Sequence, residues 1–306
     1  HYRVPVTLPA ASSVNSTAKV DIDFAALMTQ LGIAGTFDAS SIRVVRPGGT
    51  IATTQEFTDT IYAGATDSSG NLKGEVRWIV QDGGAQTYYI YFDVTQNGLK
   101  SANPQTPING NFERGSTGTA QPAGWNAPVK ASANFDAQVR PNETISVSND
   151  QAPADGVNPR STNGTSKTGA YSYLIGWRSS AAAVEVGTPG ASFSRTFTVP
   201  ATNPGNLVFR WKPEGWDAEA FDYLTVTITG ATTTTVVTGM SGNYTTLPAA
   251  PNYGNVGAST TSPGFRQYNG FDCDLAGNHR FGMTTPCHSE PWFTATQSLA
   301  AYAGQT

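Results

Sequence analysis

The segment Thr87-Tyr88-Tyr89-Ile90-Tyr91-Phe92-Asp93-Val94 limits the fold more than any other stretch of this chain. Its aromatic and β-branched side chains suit a pleated, half-buried surface and lose rotamer freedom in a helix. It has company. Tyr2-Arg3-Val4-Pro5-Val6-Thr7-Leu8 alternates with period two, Val20, Ile22 and Phe24 alternate across 18–24, and Ile42 and Val44 across 41–46. Glu75-Val76-Arg77-Trp78-Ile79-Val80 adds a further strand. Only Phe24-Ala25-Ala26-Leu27-Met28-Thr29-Gln30-Leu31 breaks the pattern, with apolar residues at helical spacing, and it predicts one short helix ending at Gly32.

Composition extends this reading to the rest of the chain. Only 13% of the residues are charged, Gly and Pro are plentiful, and long Leu/Glu/Lys runs are missing. Many short strands joined by Gly, Pro and Asn turns follow, so the expected class is all-β. A length of 306 residues leaves room for two cores. The expectation is a β-sandwich over residues 1–102 with one short helix, and a second sandwich over 103–306. Asn103-Pro104-Gln105-Thr106-Pro107 reads as a short extended linker between them.

The net charge of −4 and the lack of any Lys/Arg cluster argue against a nucleic-acid partner. No apolar run approaches the roughly 20 residues of a membrane helix. The sequence starts at His1 rather than Met, as in a mature form whose signal has been removed, so an extracellular location is expected.

The first hundred residues resemble a domain found at the start of bacterial and archaeal surface proteins and of some polysaccharide-degrading enzymes. The resemblance lies in residues 2–8, the Leu27 to Gly32 helix, residues 37–45 and the closing Tyr89-Ile90-Tyr91-Phe92-Asp93. It implies a β-sandwich and no catalytic constellation.

The second part carries Asn109-Gly110-Asn111-Phe112-Glu113 and, after a polar gap, Pro122-Ala123-Gly124-Trp125. Strands are expected over 169–176, 191–200, 207–212 and 222–228. This series resembles jelly-roll carbohydrate-binding modules, in which an Asn-Gly-Asn/Asp-Phe-Glu strand leads to a Pro-x-Gly-Trp turn. The resemblance implies binding of polysaccharide or cell-surface glycan. It also implies a structural calcium ion, with Asn111 and Glu113 matching the first part of the ligand motif. Ser298-Leu299-Ala300-Ala301-Tyr302-Ala303-Gly304-Gln305-Thr306 resembles the segment before a jelly roll's last strands. With no such strand following, the sequence reads as a fragment of a longer polypeptide, or as a subunit that takes the strand from another copy by strand addition.

A glycan site needs exposed aromatics beside polar side chains. Trp177, Trp216, Tyr268 and Trp292 fall in or beside loops, with Asp217 next to Trp216, and are the candidate ligand-binding residues. Trp125 and Trp211 read as core. Residues 241–291 form a long insertion, and insertions of this length are often functional. Within it, Cys273 and Cys287 are expected to form a disulfide worth about 3 kcal/mol in the chain-entropy model. A zinc site with His279 and His288 is the rival, but the cysteine spacing matches no zinc finger or ribbon. Asn15, Asn142, Asn163 and Asn243 open Asn-x-Ser/Thr sequons that permit glycosylation.

Catalysis has thin support. His1 could belong to a copper monooxygenase site, but the other histidines fall in the other expected domain. Asp217, Glu219 and Asp222 could form a glycosidase pair, yet one acidic loop is usually a solvated face. No Gly-x-Ser-x-Gly, His-Glu-x-x-His or phosphate-loop motif occurs. The expected function is therefore secreted and non-catalytic: carbohydrate binding or cell-surface adhesion. The alternatives are a structural subunit of a filament, sheath or surface layer assembled by strand addition, and ancillary domains of a polysaccharide-active enzyme.

Overall fold

The computed structural model describes residues 2–131, 135–141, 168–177, 190–211, 226–237 and 293–306. Over these residues the chain is all-β, with antiparallel sheets and one α-helix. The strands of the first part are β1 (Tyr2–Thr7), β2 (Thr17–Asp23), β3 (Phe37–Val45), β4 (Gln55–Thr58), β5 (Ile61–Tyr62), β6 (Ala65–Thr66), β7 (Lys73–Ile79) and β8 (Thr87–Val94). The helix α1 (Phe24–Gln30) follows β2 directly. Asp23 caps it by accepting the Ala26 amide, and the chain turns beyond it with Leu31 and Gly32.

Two three-stranded sheets, β1–β8–β3 and β2–β7–β4, enclose one core. Alternation decides which residues enter it. Tyr88, Ile90 and Phe92 of β8 and Val76 and Trp78 of β7 are fully buried, and Phe24 of α1 stacks on Phe37 at 4.6 Å between ring centres. At the side of the sandwich the Gln55 carboxamide donates to the Val44 carbonyl and accepts the Val44 amide, so β4 fastens the free edge of β3. Pairing of buried backbone groups by a side chain removes an edge that would otherwise be open.

Residues 103–107, expected as an extended linker, bend at Gln105 and are pinned to the first sheets. Asn103 donates to the Ile42 carbonyl, the Gln55 amide donates to Thr106, and Thr54 bridges Thr106. The chain then crosses the β4 side of the outer face of the β2–β7–β4 sheet, where Asn109 donates to Glu56 and Asn111 to Thr58.

Beyond this crossing lie β9 (Val129–Lys130), β10 (Phe135–Pro141), β11 (Tyr171–Trp177), β12 (Ala191–Ser192), β13 (Asn206–Trp211), β14 (Thr227–Thr229), β15 (Thr234–Val236) and β16 (Phe293–Ser298). β10 pairs β11, β12 pairs β9, β13 pairs β16 and β14 pairs β15, all antiparallel. The terminal segment after β16 is held down. Tyr302 is buried and donates to Ile228 or Thr235, and Val199 donates to the Gln305 carbonyl.

Two sequence expectations are corrected here. Asn109 to Glu113 forms tight turns rather than a strand, with Asn109 at φ 48° and Phe112 at φ 66°. The strand expected over 191–200 is confined to Ala191–Ser192, and 193–200 runs outside any sheet ladder.

Candidate functional site

The outer face of the β2–β7–β4 sheet gathers one cluster of buried polar groups, and a second, of Asp38, Ser41 and Asp93, lies where β3 meets β8. Register places Lys19, Arg77 and Glu56 in one row across it and Asp21, Glu75 and Thr58 in the next. Strand alternation would leave such a face in water. Instead, the 106–125 crossing covers its β4 side, where Asn109 donates to Glu56 and Asn111 to Thr58, and Glu56, Thr58 and Glu75 retain at most 3% of their exposure while Lys19 on β2 stays exposed. Glu75 is compensated by Lys19 at 3.0 Å and by Arg77.

Asn109 is the hub of the crossing and is fully buried. Its amide donates to Glu56 Oε2 at 2.7 Å, and its carbonyl accepts the Trp125 indole N–H at 2.9 Å. Its side chain donates to the Ala123 carbonyl and accepts the Arg114 amide. Asn tolerates the left-handed backbone that this geometry needs. The Asn-Gly-Asn-Phe-Glu and Pro-x-Gly-Trp signatures are thus direct hydrogen-bond partners. Gly124 sits at φ 83°, and a Cβ there would lie 2.8 Å from the Pro107 carbonyl.

Glu113 fastens the start of β11 beside the same face. Oε1 accepts the amides of Ala170 and Tyr171 at 2.8 and 2.9 Å, and Oε2 accepts the Thr60 hydroxyl at 2.6 Å. Gly169 must pass beside this carboxylate, since a Cβ there would meet Oε1 at 2.4 Å. These donors test the calcium expectation. Glu113 faces two N–H groups and one O–H, and Asn111 accepts the Glu113 amide through Oδ1. A hard cation wants a shell of oxygens, whereas this environment presents the positive ends of donors, so it does not fit calcium. Among the described residues no His, Cys, Asp and Glu gather as a metal-ligating group.

Above the hub stands a column of aromatic rings. Tyr173 stacks on Phe193 at 3.7 Å and Phe193 on Trp125 at 4.3 Å, with near-parallel planes, and Phe112 tilts against all three. The Arg195 guanidinium lies 5.5 Å from the Trp125 ring centre and donates to the Ile108 carbonyl. Burial pushes the Tyr173 phenol up to about 12. Trp125, expected in the core, is only half-buried, as are Phe112, Tyr173 and Phe193.

Of the expected glycan contacts, Trp177 ends β11 opposite Phe135, four residues beyond Tyr173. Its side chain lies outside the described residues, as do Trp216, Asp217, Tyr268 and Trp292. Cys273, Cys287, Asn142, Asn163 and Asn243 also lie outside them. Asn15 is half-buried in the turn between β1 and β2, at φ 70°. Glu56, Arg195 and Phe193 were not singled out by sequence reasoning. Glu56 interrupts no apolar pattern, and Phe193 and Arg195 looked like alternating residues of a longer strand.

Comparison with protein-family models, curated proteins and solved structures returns no match for this chain. No family is assigned. Among the described residues no helix is long and apolar enough to cross a membrane.

Proposed function

We propose that the chain is a non-catalytic extracellular protein that binds polysaccharide or cell-surface glycan. The observation that carries this reading is the Tyr173–Phe193–Trp125 column, whose rings reach the surface half-buried instead of vanishing into a core. Sugar rings offer apolar C–H faces to aromatic rings and hydroxyls to polar neighbours. The column supplies rigid rings, and Arg195 supplies a cation at one end. Trp177 continues the strand that bears Tyr173.

The test is retention of the full chain on a panel of insoluble polysaccharides. Trp177→Ala, Trp216→Ala and Trp292→Ala leave the hub residues untouched, and at least one should weaken retention severalfold. Wild-type retention by all three variants would overturn the reading. Trp125 is unsuitable for this purpose because its indole N–H anchors Asn109.

A further inference from the structure

Glu56 is the one member of the covered face whose needs are half met. It is 2% exposed, and its Oε2 accepts the Asn109 amide. Its Oε1 is buried without a hydrogen-bond partner among the described residues. A carboxylate in that position is costly to hold ionised, because burial removes its hydration and one hydrogen bond replaces little of it. Cations surround it from every element packed on it. Arg77 lies opposite on β7, Arg114 comes from the turn after the hub and Arg195 from the 190–200 segment. Arg77 is shared with Glu75, which also draws Lys19 from β2, so its compensation is divided.

We propose that Glu56 is a proton-operated buckle between the β2–β7–β4 sheet and the 106–125 crossing, closed when the carboxyl is neutral and loosened when it is ionised. The neutral form keeps the carbonyl oxygen as acceptor for Asn109 and adds no second buried negative charge beside Glu75. The ionised form regains hydration only when the crossing lifts. Asn109 would lift with it, and with Asn109 the anchor of Trp125. The inference stands on the hub alone and is independent of the glycan reading.

Burial raises the carboxyl above the usual glutamate range, outweighing the Asn109 hydrogen bond and the three arginines. The sign follows. A group raised in the folded state contributes stability that is complete below its ordinary value and is lost as pH rises through the folded value.

The experiment is amide exchange of the full chain at the peptide containing Asn109, between about pH 4 and 8, corrected for intrinsic exchange. One proton limits the change in opening to about tenfold per pH unit. Protection in the wild type should fall as pH rises, and in Glu56→Gln it should stay flat and exceed the wild type at neutral pH. Arg114→Gln, at an exposed position, removes one opposing cation and raises the folded value further, so its loss of protection should continue to higher pH than in the wild type. Equal pH slopes in the wild type and Glu56→Gln would overturn the proposal. If Glu56→Gln fails to fold, an unshifted profile in Arg114→Gln would overturn it as well.

Discussion

On the outer face of the β1–β8–β3 sheet, Arg3 and Thr7 are exposed and Tyr89 and Tyr91 half-buried. On the outer face of the β2–β7–β4 sheet, Glu56, Thr58 and Glu75 are buried. Both sheets feed one core with the same alternation, and the faces part company where the 106–125 crossing is laid over β4. Along β1 and the middle of β8 the open face holds loose contacts, such as Arg3 donating to the Tyr91 hydroxyl at 3.3 Å, and only at the end of β8 does it bury a charge, Asp93, against Lys100. The covered face holds partnered charges and a backbone routed through left-handed turns. Covering a polar face is tolerable only if its groups find partners there, and each partner then becomes a constraint on the covering chain.

The largest expected effect probes how tightly the cover is fitted. Gly169→Ala combines a backbone at φ 95° with a Cβ driven into Glu113 Oε1. It should destabilise by roughly 3 kcal/mol in denaturant unfolding. Gly49 is the control, because its φ of 86° is equally unfavourable and its surroundings are open. Gly49→Ala should cost about 1 kcal/mol. Equal losses at both positions would show that Gly169 pays for backbone conformation only and that the covered face is not tightly fitted.

Glu113→Gln comes next. The amide group places N–H donors against one of the two donor sets, the Ala170 and Tyr171 amides or the Thr60 hydroxyl. A loss of about 2 kcal/mol is expected, measured the same way. The variant also tests the calcium assignment directly. A stabilisation of the wild type by added calcium that vanishes in Glu113→Gln would restore the metal reading.

The open and covered faces were unequally legible in the sequence. Period two in residues 2–8 and 87–94 placed β1 and β8 correctly, because their alternation is decided by one core and nothing else. The helix over 24–31 was legible for the same reason. The burial of Glu56 and Glu75 was not, since alternation reports which residues face the first core and cannot report that a later segment covers the other side. Asn109 to Glu113 illustrates the same limit. The motif was recognised as a marker, but its left-handed turns serve Glu56, Thr60 and Ala170, which lie more than 50 residues away in sequence. Short strands such as β4 gave no periodic signal at all.

Acid titration separates two kinds of carboxylate and so sharpens the comparison further. Asp82, in the loop joining β7 to β8, accepts Arg46 through both oxygens at 2.8 Å. That hydrogen bonding holds its carboxyl below the usual aspartate range. A depressed group contributes stability above its ordinary value and loses it as pH falls through the folded value, the reverse of Glu56. Asp82→Asn should cost about 1 kcal/mol at neutral pH, and the cost should shrink as the wild type is acidified. A cost independent of pH would remove the Arg46 pairing as its source.

The smallest effect belongs to the open face. Tyr91→Phe deletes only the acceptor for Arg3, which retains its position 4.7 Å from the Tyr89 ring centre. Both groups reach water, so the unfolded chain offers nearly the same solvation, and the loss should stay under about 0.5 kcal/mol. Thermal unfolding of this variant beside Thr60→Val makes the matched pair, since each removes one hydroxyl hydrogen bond. Thr60→Val strips a donor from the Glu113 carboxylate and should lose about 1 kcal/mol or more. If the two variants melt together, the cover confers no added strength on the hydrogen bonds beneath it, and the distinction between the two faces is one of exposure alone.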